Sequence, residues 1–256
     1  MLLCIDIGNT NITLGAYEDD RLDFTARLAT DPARTADQYA AELVSVFTLH
    51  NALGGDFDGC MISTVVPALA GVFTQAVKTV TGRTPLLLGP GVKTGLNIKI
   101  DDPAQLGADA VASAVAAMHK YPLPCMVFDF GTATKVSVID KGGVFLGGAI
   151  CAGLGISVNA LSNAAALLPD ISLALPEKVV GSNTVDCMQS GFLHGAAAMA
   201  DGMIDRINEE RGKTHTAVIT GGLCGEVARG CRREIIRDDN LLLDGLRIIY
   251  QKNYLL

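Results

Sequence analysis

The sequence reads as an α/β protein built from two similar halves, and three observations carry that reading. A strand, polar turn and return strand recur about half a chain apart. Each copy is followed by short apolar runs that alternate with segments of helical period, the pattern of strands interleaved with helices. The chain has 256 residues, 49% of them hydrophobic, enough for two domains of roughly 120 residues, each with its own core.

The recurring unit is Leu3-Cys4-Ile5-Asp6-Ile7-Gly8-Asn9-Thr10 followed by the return strand through Leu14, matched by Met126-Val127-Phe128-Asp129-Phe130-Gly131-Thr132-Ala133 and the return strand through Ser137. Each is an apolar strand ending in Asp-x-Gly and a small polar residue, a composition suited to a tight hairpin. After the first copy the sequence predicts a strand over 22–28, a helix over 35–51, a strand over 59–65, a helix over 68–81 and a strand over 85–88. After the second it predicts a strand over 144–150, helices over 155–168 and 185–211, a strand over 215–220 and a final helix over 222–230. Apolar residues at three and four spacing set the helical faces: Tyr39, Leu43, Val46 and Phe47 on one, and Phe192, Ala196, Met199, Met203 and Ile207 on another. Asp101-Asp102-Pro103 and the small-residue helix over 106–119 lie between the halves, so the expected domains are 1–104 and 105–256.

Composition narrows the partners. Twenty Lys and Arg against 27 Asp and Glu leave a net charge of −7, and no basic cluster dominates, so a nucleic-acid partner is not expected. Arg229, Arg232, Arg233 and Arg237 read as a solvated helical face. Only 18% of residues are charged, against roughly 25% in ordinary soluble domains, so part of the surface is expected to be covered. No run of about 20 apolar residues provides a membrane span; the richest, from Val111 to Val127, is broken by His119, Lys120, Pro122 and Pro124. The covering surface is therefore expected to be another subunit. Seven scattered cysteines, mostly in apolar runs, fit a reducing, cytoplasmic setting, with Cys224 and Cys231 as buried or idle thiols.

The duplicated hairpins carry the chemistry. Gly89-Pro90-Gly91-Val92-Lys93-Thr94 lacks the Gly-Lys spacing of a phosphate-binding P-loop, and neither GxGxxG nor GxSxG occurs. Two hairpins facing each other across a cleft, each with an Asp to hold a cation, a Gly for close backbone approach and hydroxyl or amide donors, suit the phosphate tail of ATP. Thr220-Gly221-Gly222, where a strand runs into a helix start, suits a base or ribose. Asp109 is the one acid of an otherwise apolar helix and also occupies a position favoured by the helix dipole. Thr184 also reads as an N-cap.

Asp6-x-Gly8-Asn9-Thr10, Gly107-Ala108-Asp109, Asp129-Phe130-Gly131-Thr132-Ala133-Thr134, Gly147-Gly148-Ala149-Ile150, Gly181-Ser182-Asn183-Thr184 and Thr220-Gly221-Gly222 resemble, in order and spacing, the motifs of the type III pantothenate kinases. That family belongs to the acetate and sugar kinase/Hsp70/actin superfamily. The resemblance implies a duplicated ribonuclease H-like, actin-like ATPase fold and phosphorylation of pantothenate by ATP, the first step of coenzyme A synthesis. It further implies a homodimer that needs Mg and a monovalent cation, K or NH4. By the same resemblance Asp6, Ile7, Gly8, Asn9, Thr10, Asn11, Ile12 and Thr13 bind ATP phosphates, with Asp6 facing Mg, and Thr132 also contacts ATP. Asp109 is the catalytic base and Asp129 the potassium ligand. Gly107, Ala108, Asp109, Ala110 and Thr184 contact pantothenate.

Three positions depart from the family pattern. Ala110 stands where an Arg is usual, Lys135 where a Thr is usual, and Ala152-Gly153 where Pro-Gly is usual. Loss of a charge-assisted partner weakens a substrate carboxylate by roughly 1.5–3 kcal/mol, so Ala110 points either to a weak or retuned kinase or to a non-catalytic, regulatory nucleotide-binding relative. Lys135 either restores positive charge near the substrate or phosphates, or faces solvent from the return strand.

Overall fold

The computed structural model describes residues 1–53 and 57–254. Strand β1 (Leu2–Ile7) pairs antiparallel with β2 (Asn11–Glu18), which pairs antiparallel with β3 (Arg21–Ala29). Helix α1 (Ala36–Leu49) follows, then β4 (Gly59–Thr64), α2 (Pro67–Thr81) and the short β5 (Leu86–Leu87). Beyond β6 (Asn97–Ile98) come α3 (Ala108–Lys120), β7 (Cys125–Phe130), β8 (Ala133–Ile139), β9 (Val144–Ala152), α4 (Leu154–Ala164) and α5 (Thr184–Arg211). The chain ends with β10 (Thr216–Thr220), α6 (Cys224–Gly230), β11 (Ile236–Arg237) and α7 (Leu241–Tyr254).

The sheets repeat one topology. The first runs β3-β2-β1-β4-β5, and the second β11-β10-β7-β8-β9-β6. Read from β9 to β11, the second has the same meander of two antiparallel pairings and the same parallel neighbours as the first, with β6 added at the β9 edge. The duplication visible in the hairpin motifs is thus a duplication of whole sheets.

Local sequence explains the helix ends. Thr35 caps α1 and forms a capping box with Gln38, satisfying two backbone donors at once. Pro67 opens α2, and Gly82 closes it in the left-handed conformation. The expected α1 stripe of Tyr39, Leu43, Val46 and Phe47 is buried, and it meets Leu69, Phe73 and Val77 of α2 and the β1 side chains Leu3, Ile5 and Ile7 in the first core.

The α5 face is rotated from the expected one. Leu193, Ala197, Ala200 and Ile204 join Ala196 in the buried set, whereas Phe192, Met199, Met203 and Ile207 are only partly buried at the edge of the second core. Small alanines take the innermost positions, and the long side chains flank them. Helix α4 stops at Ala164, short of the expected 168.

Sequence reading did not identify β6, β11 or α7, and α7 changes the domain division. Two compact units interleave along the chain: Met1–Leu96, Asp102–Ala116 and Leu241–Leu256 form one, and Asn97–Asp101 with Ala117–Asn240 form the other. The units therefore do not follow a single division into 1–104 and 105–256. Helix α7 returns to the first sheet, packs on β1, β2 and β4, and buries Leu241, Leu243, Leu246 and Ile249. Tyr17 donates from its hydroxyl to Asp244 at 2.8 Å, and Arg247 pairs with Asp20. Among the described residues no helix is long and apolar enough to cross a membrane.

Candidate functional site

In the first unit, the Asp-x-Gly turn joins β1 to β2 with Asp6 opposite Thr13 and Ile7 opposite Ile12. The Gly8 amide donates to the Asn11 carbonyl at 3.0 Å and closes the turn. Thr30, which the motif reading did not single out, holds it from the side: its hydroxyl donates to the Gly8 carbonyl at 2.7 Å and its amide to the Thr10 carbonyl at 3.1 Å. Asn9, Thr10 and Asn11 are exposed, while Ile7 and Ile12 are buried beneath them. The isoleucines anchor the turn, and the polar residues are the ones presented for contact.

Asp6 is half-buried between two hydroxyl-bearing neighbours, Thr13 on β2 and Ser63 on the parallel strand β4. The Ser63 hydroxyl is buried and has no hydrogen-bond partner among the described residues. Carboxylate and hydroxyl oxygens together suit a hard divalent cation, directly or through its waters. The only sign of Ser63 in the sequence was the polar pair Ser63-Thr64 closing an otherwise apolar strand.

Asp109 reaches the same end of this sheet. The Val65 amide donates to the Ile7 carbonyl at 3.0 Å, linking the end of β4 to the residue after Asp6. A β-carbon added to Gly107 would lie 3.8 Å from the Val65 side chain. Asp109 is in the first turn of α3, and its Oδ1 accepts from the Ala110 amide at 2.7 Å. That bond fixes the carboxylate at a helix N-terminus, where a negative charge is favoured. Ala108 and Ala110 are half-buried beside it. The C-terminal ends of the parallel strands β1 and β4 thus collect two carboxylates and a polar turn, the usual location of ligands on such sheets.

In the second unit, Asp129 is the penultimate residue of β7, between Lys135 on β8 and Thr220 on β10. Lys135 Nζ is 3.0 Å from Asp129 Oδ2, and the two side chains are only 21% and 20% exposed. Lys135 therefore does not face solvent; the strand register points it at the carboxylate. Gly221 has φ +96°, and a β-carbon there would lie 2.6–2.7 Å from the Phe130 backbone and 2.7 Å from Asp129 Oδ1, so any side chain would push this turn off β7. Thr132 is exposed at the hairpin tip, and its carbonyl accepts from the Gly153 amide at 3.2 Å.

Thr184 lies elsewhere in the second unit. Asn183, not Thr184, caps α5, with its side chain accepting from the Asp186 amide at 3.0 Å. The helix starts one residue earlier than expected, which puts Thr184 in its first turn. Thr184 lines a groove of about 750 Å³ with Leu161, Leu168, Asn183, Met188 and Phe192.

The remaining candidates are ordinary surface or core features. Arg229, Arg233 and Arg237 pair with Glu226, Asp205 and Asp239 on exposed ground. Burial pushes the Cys224 and Cys231 thiols up to about 12 and about 11, so both stay protonated and unreactive near neutral pH.

Residues 2–206 match the family model for type III pantothenate kinases. A protein named type III pantothenate kinase from Halalkalibacterium halodurans is 42% identical over 253 residues, spanning 99% of this chain and 100% of the relative. Among solved structures, a conserved Baf family protein from Campylobacter jejuni superposes with a TM-score of 0.61 at 20% identity, covering 99% of this chain and 100% of that one. The activator of 2-hydroxyisocaproyl-CoA dehydratase from Clostridium difficile, solved with ADPNP, superposes with a TM-score of 0.54 at 14% identity, covering 100% and 97%. These two likenesses concern the fold, which is the duplicated actin-like one.

Proposed function

Given that this chain belongs to the type III pantothenate kinase family, we propose residue roles for the phosphorylation of pantothenate by MgATP, the activity that this membership assigns to it. The observation that carries the reading is the near-complete match to a named kinase, with Asp109 held by the Ala110 amide at the start of α3.

Phosphoryl transfer needs positioning and charge neutralisation more than covalent chemistry from the protein. The Gly8–Thr10 turn, closed by the Asn11 carbonyl and braced by Thr30, presents Asn9, Thr10 and Asn11 to ATP phosphates, with Thr13 following on β2. Asp6 with Ser63 would hold Mg, which supplies charge neutralisation at the phosphates. Thr132 at the second hairpin tip contacts ATP. Asp109 orients the primary hydroxyl of pantothenate and accepts its proton as the hydroxyl oxygen bonds to the γ-phosphorus and the bond from that phosphorus to the departing ADP oxygen breaks. Gly107 and Ala108 shape the approach to that carboxylate.

Thr184 and its groove form the remaining candidate pantothenate contact. Ile150, Leu167, Val179 and Val180 are exposed by 62–94% in this unit. Such a set of apolar side chains supports a homodimer that covers them. Retention of Asp6, Asp109 and Asp129 favours turnover over the non-catalytic alternative. The monovalent cation expected at Asp129 fits poorly, because the Lys135 ammonium already lies against Oδ2.

The deciding experiment incubates purified protein with MgATP and pantothenate and follows ADP release and 4'-phosphopantothenate by mass spectrometry. The expected result is product formation that Asp109→Asn abolishes. Turnover no higher than in that variant overturns the kinase reading.

A further inference from the structure

Asp129 and Lys135 stand directly opposite each other on the second hairpin, where the first hairpin has Asp6 and Thr13. Directly opposed residues of an antiparallel pair project to the same face of the sheet. The two copies of one duplicated unit therefore differ at one functional position: a hydroxyl faces the carboxylate in the first, and an ammonium in the second. The contact is 3.0 Å between largely shielded side chains. The other oxygen, Oδ1, lies against backbone, 2.7 Å from the point a β-carbon on Gly221 would occupy and 3.4 Å from that on Gly131.

We propose that the Lys135 ammonium is a tethered replacement for the monovalent cation expected at Asp129, making nucleotide binding and turnover in this chain independent of potassium and ammonium. The proposal rests on the kinase reading and deepens it. A bound K or NH4 ion would deliver one positive charge to the Asp129 carboxylate. Lysine delivers the same charge as a compact alkylammonium with three N–H donors. A second cation on Oδ2 would stand a few ångströms from that ammonium, in a half-buried setting where like charges repel strongly. The turn at Gly221 passes close enough to Oδ1 to leave no room there for a side chain. Tethering also removes dependence on ion concentration, because the cation is supplied intramolecularly. A lysine at 135 thus changes the cation requirement without changing the charge of the site.

The test compares wild type with Lys135→Thr, the residue type facing Asp6 in the first hairpin. Melting temperature without nucleotide and MgADP affinity by calorimetry are measured in potassium chloride and in tetramethylammonium chloride at equal ionic strength. Wild type is expected to behave alike in the two salts, within about 1 °C and about twofold in affinity. Lys135→Thr is expected to lose about tenfold in MgADP affinity in tetramethylammonium, the size of one lost charge-assisted contact, and to regain it in potassium. A wild-type protein stabilised by potassium, or a folded variant indifferent to it, overturns the proposal. If the variant does not fold, the wild-type comparison decides alone. The kinase reading fails separately, through absence of phosphopantothenate in every salt, and the nucleotide-free melting comparison stands regardless.

Discussion

A β-carbon on Gly107 would lie 2.6 Å from Asp109 Oδ1, so the glycine and the carboxylate are a matched pair at the start of α3. Gly107→Ala is expected to leave the fold intact, because the carboxylate can rotate away, but to move it off the Ala110 amide. Misplacing a reacting group by about 1 Å costs about a hundredfold in rate. Steady-state kinetics should show a fall in kcat of that order, while calorimetry shows MgADP binding little changed. An unaltered kcat would remove Asp109 from the reaction.

Ala110 stands where the family pattern has an arginine. If that cation recognises the pantothenate carboxylate, Ala110→Arg should lower the KM for pantothenate by roughly ten- to a hundredfold, the worth of a charge-assisted bond. The KM for ATP should not move. An equal change in both, or none, would separate position 110 from substrate recognition.

Helix α7 packs on the first sheet from the far end of the chain, with Leu246 fully buried. Leu246→Ala should destabilise the protein by about 2–5 kcal/mol, as large-to-small core changes do, and denaturant unfolding measures it. An exposed leucine at the end of α1, Leu49, serves as the control, with Leu49→Ala within about 0.5 kcal/mol of wild type.

His215 gives a pH signature. The residue is 4% exposed, Nδ1 is 2.9 Å from Asn208 Oδ1, and Nε2 is buried with no hydrogen-bond partner among the described residues. Burial holds its pKa below the ordinary 6.5, so the unfolded chain binds the proton more readily than the folded one. Stability from this group is present above pH 6.5 and is lost as pH falls below it. The melting temperature of wild type should therefore drop more steeply than that of His215→Gln in this range. Parallel profiles would remove His215 as the cause.

The sequence by itself determined the class, the duplication and the family, because each rests on local chemistry. Asp-x-Gly turns form from their own residues, and the α1 stripe at three and four spacing is buried where periodicity put it. Conservative local rules also located Asp6, Asp109 and Asp129 at the ends of strands or the start of a helix. Only tertiary structure decided the rest, since it depends on residues far apart in the chain. Helix α7 belongs to the first unit because the apolar faces of β1 and β4 need a cover, which no pattern within 241–254 reveals. The α5 core face turned toward its alanines because close packing, not hydrophobicity alone, selects the innermost side. Lys135 left open two readings in sequence. Strand register, which sets it opposite Asp129 at 3.0 Å, makes it the built-in cation of the second hairpin.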